Sequence, residues 1–415
     1  MKDYCPYCKP YLRNPNHYYE RLEGFLLKYG RYLLGLKNIF LKKTPKLEKK
    51  LRRVFFYNLL NILAKLKIIT FIEPDRSPEK FPNRILVINE EAKKRNLRIQ
   101  AIKSFDKISN LFRLTLPNEK IFFFEGLPTN DLSHPSVIET DDKWILKKSL
   151  KKHGFPYAKG RIFNYFHPMR LVLKYGQSLG LPLVVKPRLG SLSQHVTCNI
   201  SNLAEFQQAI KIVKKISYEF IVEKYIPGNV YRIIILDGKF IAAALREPPN
   251  VVGDGLHTLK ELIEIKNSNP KRGETFAKNY TLHKLTYDDE VLSQLANKKI
   301  FLETIIPKGE KVYLSQKVIL AIGADILDMT DEVAEENRKM FIKLANFYQT
   351  PLIGIDFICQ DISKPYKEQL LAVIEINSLP LIDMHHFPTS GKIQNVAEKI
   401  IDFILEKQKN NIDKF

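Results

Sequence analysis

Gly354-Ile-Asp356-Phe-Ile-Cys359 sets one acid in a run of apolar residues, and Ala372-Val-Ile-Glu375-Ile-Asn377 sets another. Both runs read as strands, and a period of two puts Glu375 and Asn377 on one face. Carboxylates among apolar neighbours are costly unless they are ion-paired or bind a metal. Two carboxylates and an amide oxygen make a hard-oxygen donor set. That set suits Mg2+ bridging nucleotide phosphates, with water completing the octahedron. Ion pairing with Lys or Arg is the alternative.

Other residues could serve the same phosphates. Strand Leu183-Val-Val-Lys186 ends in a lysine, and the turn-rich segment after Pro187 carries Ser191 and Ser193. Backbone N–H groups and hydroxyls of such a loop can hold phosphate, with the lysine as a point charge. Ile221-Val-Glu-Lys-Tyr-Ile-Pro-Gly228 reads as a strand running into a short apolar linker, where extended backbone beside an acid can read an adenine edge and a ribose. Strand Tyr231–Leu236 carries Arg232, and after the Asp237-Gly238 turn the next strand delivers Arg246. Arginines on paired strands can converge on phosphate oxygens.

The elements that must position these groups fall into three regions. Up to about Pro78 the apolar spacing predicts helices, including an amphipathic one over Val54–Ile72 interrupted by Asn58, Asn61, Lys65 and Lys67. From Arg84 to about His134 the pattern predicts a small α/β unit. It has strands at Arg84–Ile88, Leu97–Ile102, Phe112–Leu116 and Ile121–Phe124, and a helix at Glu90–Asn96. From Val137 onward strands and helices alternate, opening with Asp142-Lys143 at the head of a helix. Cys198 and Cys359 read as core residues of apolar strands.

Composition is that of a globular protein rather than a disordered chain, at 45% hydrophobic and 27% charged residues. Four cysteines are too few for a disulfide framework, and no apolar leader opens the sequence, so a cytoplasmic setting is expected. The formal net charge is +21. About a dozen of those charges lie in the first seventy or so residues, in clusters from Lys42 to Arg53. Such a face either is simply solvated or attracts a polyanion or an anionic membrane surface. Cys5-Pro-Tyr-Cys8 has the spacing of a redox or half-zinc motif, without the elements or second ligand pair either needs.

Taken in order, Asp142-Lys143, Lys186-Pro187, Val222-Glu-Lys-Tyr-Ile-Pro-Gly228, the two arginines, Gly354-Ile-Asp356 and Glu375-Ile-Asn377 resemble the ATP-grasp superfamily. Within it the chain most resembles the ATP-grasp domain of cyanophycin synthetase, a glutathione-synthetase-like ATP-binding domain. The resemblance runs over nearly all of 137–407. It is also carried by Arg246–Leu259, Asn267–Gly273, Asp328–Val333 and Pro388–Val396.

The resemblance implies an α+β chain with three parts. A basic helical extension would occupy 1–78, a small α/β pre-ATP-grasp domain 79–136, and an ATP-grasp domain of two α+β lobes 137–410. Lys143, Lys186, Ser191 and Ser193 would meet ATP phosphates. Glu223, Lys224, Tyr225 and Ile226 would line the adenine pocket. Arg232 and Arg246 would act on the transferred phosphoryl group, and Asp356, Glu375 and Asn377 would hold two Mg2+ ions. The implied reaction joins an amino-acid or peptide carboxylate to an amine through an acyl-phosphate, releasing ADP. A nucleotide-binding protein without turnover, or an accessory factor docked on a polyanion, are the alternatives; a homo-oligomer is compatible with each.

The sequence departs from the family at loops that touch substrate. Ser191–His195 stands where glycines are usual, Val230 where an acid is common, Ala321–Ala324 where a Ser-Thr-Gly-Gly-like loop is expected, and Leu381 where relatives carry glycine. A changed substrate accounts for that pattern. Ending at Phe415, the sequence is expected to lack the Mur-ligase half of cyanophycin synthetase. His257 and the His385-His386 pair either face substrate or are satisfied loop histidines.

Overall fold

The computed structural model describes residues 59–76, 81–104, 107–129, 142–189, 195–315, 317–348 and 350–409. The basic clusters from Lys42 to Arg53, Cys5, Cys8, Ser191 and Ser193 lie outside the described residues.

Strand β1 (Ile69–Ile72) pairs antiparallel with β2 (Arg98–Ser104), Ile69 opposite Ser104. Helix α1 (Asn83–Lys94) lies between them in sequence. The strand expected at Arg84–Ile88 is therefore the first part of a helix. Ile85, Leu86, Val87 and Ile88 are all buried, so no polar face interrupts the apolar run to reveal a helical period. Pro82 stands at the N-cap, where a missing N–H costs nothing. Strands β3 (Lys107–Thr115) and β4 (Ile121–Glu125) follow, with the Phe112 and Phe124 rings stacked at 5.4 Å. Helix α2 (Lys143–Lys152) begins as the sequence predicts: the Asp142 carboxylate accepts from the N–H groups of Trp144 and Ile145 at 3.0 and 3.1 Å.

The chain divides into two compact units. One takes in Gln100–Leu111 and Ala158–Tyr225; the other takes in Pro74–Ile99, Phe112–Tyr157 and the chain from Ile226 on.

The first unit holds β5 (Gly160–Asn164), α3 (Met169–Leu179), β6 (Leu183–Pro187), β7 (Thr197–Ile200), α4 (Leu203–Ile216) and β8 (Glu219–Lys224). Its antiparallel sheet has the order β5-β8-β6-β7. Leu183, Val185, Phe220 and Val222 pack with Val172, Phe206 and Ile210 of the two helices. Alternation therefore sends Lys186 and Glu223 to the other face. Cys198 is exposed, against the expectation of a core position, because it sits on the short edge strand β7; Cys359 is buried as expected.

The second unit continues with β9 (Asn229–Leu236) and β10 (Lys239–Glu247). A subdomain follows, made of β11 (Asn250–Val252), α5 (Leu259–Asn267), β12 (Arg272–Gly273), β13 (Leu282–His283), α6 (Asp289–Ala296) and β14 (Lys311–Tyr313). It has its own core around Val251, Leu259, Leu285, Leu295 and Val312. Then come β15 (Asp325–Asp328), α7 (Glu335–Tyr348), β16 (Leu352–Cys359), β17 (Leu371–Asn377) and α8 (Val396–Lys409). The main antiparallel sheet has the order β15-β10-β9-β16-β17. Tyr231, Ile233, Ile235, Ile353, Ile355 and Phe357 pack on Phe341, Leu344 and Tyr348 of α7.

Candidate active site

Because Tyr231, Ile233 and Ile235 face α7, alternation turns Arg232 to the opposite face of β9. In register, Asp356 of β16 stands opposite Arg232 on one side and opposite Glu375 of β17 on the other. Arg232 Nε donates to Asp356 Oδ1, and Arg246 Nη2 donates to Oδ2 at 2.9 Å. Burial pushes the Asp356 carboxyl up, but the two guanidiniums outweigh it and hold it below the usual range. Burial works against Arg232 too, yet Asp356 wins and raises it. For Arg246 burial prevails; what Asp356 restores is eroded by Arg232, and the group is lowered.

Glu375 Oε1 lies 3.7 Å from Lys143 Nζ, at the start of α2. Asn377 stands opposite Gly354, and its buried Nδ2 has no hydrogen-bond partner among the described residues. Gly354 is needed for space: a Cβ there would lie 2.6 Å from Pro380 Cβ and 3.4 Å from Arg232 Cδ. Six residues singled out from the sequence thus meet in one place: Lys143, Arg232, Arg246, Asp356, Glu375 and Asn377.

Whether these residues fit a divalent ion turns on their donors. Among the described residues no three His, Cys, Asp or Glu side chains gather as a metal cluster. The set here is two carboxylates and an amide. Both Asp356 oxygens already accept from arginine, which leaves lone pairs on each. Glu375 is partly exposed, and the third donor would be the Asn377 amide oxygen; its Nδ2 is an N–H donor that suits a phosphate oxygen rather than a cation. All-oxygen donors of this kind match Mg2+ rather than a softer metal.

In the first unit Lys186 Nζ and Glu223 Oε1 form a buried ion pair at 2.6 Å. Lys224 Nζ donates to the carbonyls of Gly180 and Leu181 at 3.1 and 2.8 Å, and the Tyr225 N–H donates to Pro182 at 3.1 Å. These bonds pin the strand end and its linker. Ile226 begins the next stretch of the second unit.

No family model matches the chain. A solved bifunctional glutathione synthetase from Pasteurella multocida superposes with a TM-score of 0.61 at 24% identity, over 79% of this chain and 45% of that one. The chain has the ATP-grasp fold. A cyanophycin synthetase from Crocosphaera subtropica is 32% identical over 265 residues, covering 63% of this ATP-grasp chain and 30% of the relative. A glutathione biosynthesis bifunctional protein from Pasteurella multocida is 29% identical over 284 residues, 67% of this chain and 37% of the relative. These findings bear out the resemblance read from the sequence. The ATP-grasp chain spans about a third of the length of these curated relatives.

Further polar centres of the ATP-grasp chain escaped the sequence reading. Asp325 accepts from Arg272, from Lys266 Nζ at 2.5 Å, from Asn250 Nδ2 at 3.0 Å and from Thr389 Oγ1 at 3.2 Å, tying the subdomain to β15. Asp383 accepts from Thr281 Oγ1 at 2.5 Å. The histidines separate by environment. His257 is half-exposed and donates through Nδ1 to Asp254 Oδ2 at 2.6 Å, a bond that raises its pKa. Burial lowers His386 to about 4, and its Nε2 accepts the Ala397 N–H at 3.1 Å. Burial, then Arg232, lowers His385 to about 3, and neither of its ring nitrogens has a hydrogen-bond partner among the described residues. No helix among the described residues is long and apolar enough to cross a membrane.

Proposed function

We propose that this ATP-grasp chain is an ADP-forming ligase joining an amino-acid or peptide carboxylate to an amine, with ATP and Mg2+ as cofactors. The observation that carries the reading is Asp356 clamped between Arg232 and Arg246 and set directly opposite Glu375. Similarity to cyanophycin synthetase and to the glutathione biosynthesis protein supports the reaction class.

A carboxylate is a poor electrophile, so it first attacks the γ-phosphorus. The bond to ADP breaks and a mixed anhydride forms. An amine then attacks the acyl carbon and phosphate leaves. Arg232 and Arg246 are fixed by Asp356 before substrate arrives, so their charge meets the transferring group without reorganisation. Lys143 and Lys186 supply point charges for phosphate oxygens, and Ser191 and Ser193, outside the described residues, are assigned to the same phosphates from the sequence. Glu223, Lys224, Tyr225 and Ile226 supply the adenine side. Mg2+ held by Asp356, Glu375 and Asn377 would offset phosphate charge.

The test is ADP release with ATP and Mg2+ across a panel of amino acids and small peptides, wild type beside Glu375→Gln. Substrate-dependent release lost in the variant supports the ligase. ATP binding without turnover across the panel would replace it with a nucleotide-binding module. The basic clusters from Lys42 to Arg53 we assign to polyanion contact. Co-sedimentation with nucleic acid or anionic vesicles that salt does not weaken would dismiss this.

A further inference from the structure

At the end of β5 the first unit holds two large aromatic side chains out in water, and none of the roles above uses them. The strand stops at Asn164, and Tyr165 and Phe166 follow before Pro168 opens α3. Tyr165 is 44% exposed and Phe166 74%. Leu171, on the first turn of α3, is exposed as well.

The loop that carries them is tied at several points. Asn164 Oδ1 accepts from the N–H groups of Phe166 and His167 at 3.1 and 3.2 Å, and the Tyr165 N–H donates to the Tyr218 carbonyl at 2.8 Å. Lys214 Nζ, from α4, donates to the His167 carbonyl at 2.5 Å. The Phe166 ring meets Tyr165 edge-on at 5.5 Å and Tyr218 at 6.2 Å. A pinned backbone thus presents an apolar block to solvent, which is unfavourable unless something covers it.

Charge around the block has one sign. Glu205 is the only acid in the sequence from Lys159 to Tyr218. It accepts from Ser201 at the start of α4, about 14 Å along the helix from Lys214. The next acid, Glu219, is paired with Arg188 at 2.6 Å. Arg170 and Lys174 on α3 and Lys211 and Lys215 on α4 are all exposed. Both helices cover the sheet face opposite Lys186 and Glu223. In register Asn164 pairs with Glu219 and Gly160 with Glu223, so the block also lies at the other strand end from Glu223.

Rings among cations suit either a single nucleic-acid strand or an anionic lipid surface. Successive bases stack on ring faces laid flat. Rings held mutually perpendicular, with an aliphatic Leu171 exposed five residues on, offer apolar bulk instead. The boundary between lipid headgroups and acyl chains takes up such bulk, and tyrosine hydroxyls suit it. Lys and Arg at headgroup level are drawn to anionic lipid. A second copy of this chain would bring the same positive charge against the patch.

We propose that the Tyr165–Phe166 loop is a wedge by which this unit docks on an anionic membrane surface. Phe166 enters the boundary between headgroups and acyl chains, and Arg170, Lys174, Lys211 and Lys215 lie against the headgroups. This surface is independent of the ligase reading and of the clusters from Lys42 to Arg53.

The experiment is flotation of the full chain with vesicles of phosphatidylcholine alone, and with phosphatidylglycerol as about a third of the lipid. The chain should float only with the anionic vesicles. Phe166→Ser should weaken that binding by about tenfold or more, as expected on losing a buried phenyl ring, and Arg170→Gln with Lys174→Gln by a similar factor. ATP affinity should change by less than about twofold in either variant. All three positions are exposed, so the variants should fold as the wild type does. In Phe166→Trp the new indole should be quenched by brominated acyl chains, with the wild type, whose only tryptophan is Trp144, as reference. Vesicle binding that Phe166→Ser leaves intact would overturn the proposal and assign binding to the clusters from Lys42 to Arg53. An unquenched indole, or no vesicle binding at all, would overturn it too. Binding of single-stranded DNA, or self-association, in place of vesicle binding and lost in Phe166→Ser would give the patch to that occupant instead.

Discussion

Asp356 and Glu375 face each other directly across two antiparallel strands, with Arg232 on the far side of Asp356. Like charges in such a pair destabilise a sheet unless something offsets them. Arg232, Arg246 and Lys143 do so here. The same contacts that stabilise the acids also fix the cations. Replacing Asp356 by Asn should therefore cost about 3–5 kcal/mol at pH 7, as expected on breaking a buried pair. Its carboxyl is held below the unfolded value of about 3.9, so its contribution is complete above that pH and is lost as pH falls through the folded value. Urea midpoints of wild type and Asp356→Asn should converge below about pH 4. A constant gap from pH 7 to pH 3 would show that the charge is not what stabilises.

Lys186 and Glu223 form the corresponding buried pair in the first unit, at 2.6 Å. Lys186→Met removes the cation beside Glu223 and should lower stability by about 3–5 kcal/mol. The double variant with Glu223→Gln should recover part of that loss. ATP affinity should fall by about tenfold or more in both, equal to about 1.4 kcal/mol. Unchanged ATP affinity in a folded Lys186→Met protein would remove Lys186 from the phosphate site.

The arginine–carboxylate cluster was legible because charged residues in apolar strands announce a cost that must be met, and alternation assigns their faces. Asp383 was not, since it sits in a turn of mixed composition. Its partner Thr281 is 102 residues away, and Asn83, which donates to Thr281, is a further 198. Arg84–Ile88 misled for a different reason: four apolar residues buried in a row, Ile85 to Ile88, show no helical period within so short a run. Cys198 was misplaced because strand pattern does not reveal which strand lies at an edge. Lys224 reads as a ligand contact from its motif, yet its ammonium lies on two backbone carbonyls.

His386 gives the protein an acid limit above that of its carboxylates. Burial holds it at about 4, against about 6.5 when unfolded, so the native state keeps the ring neutral to accept the Ala397 N–H. The stability this contributes is full above about pH 6.5 and declines as pH falls toward the folded value. His385 acts in the same direction from its own burial. Urea midpoints at pH 7, 5.5 and 4.5 should fall steadily for wild type and less steeply for His386→Gln. Parallel slopes would show that His386 does not govern this window.

Gly228, at the end of the linker after β8, has φ +148, and a Cβ there would lie 2.5 Å from the Cys359 carbonyl oxygen. Gly154 also has a positive φ, +72, but nothing lies within 4 Å of its Cβ position. The two alanine variants therefore separate conformational strain from close approach. Gly154→Ala should cost about 1–2 kcal/mol, the strain of a left-handed L-residue. Gly228→Ala must in addition push β16 away from the start of β9, so its loss should exceed that of Gly154→Ala by about 1 kcal/mol or more. Asp356 lies on the displaced strand opposite Arg232, so ADP release should fall in Gly228→Ala by more than the folded fraction explains. Chemical denaturation and ADP release on the two purified variants make the comparison. Equal stability losses would show that β16 yields freely at Cys359. The Arg232–Asp356 register would then owe nothing to this glycine.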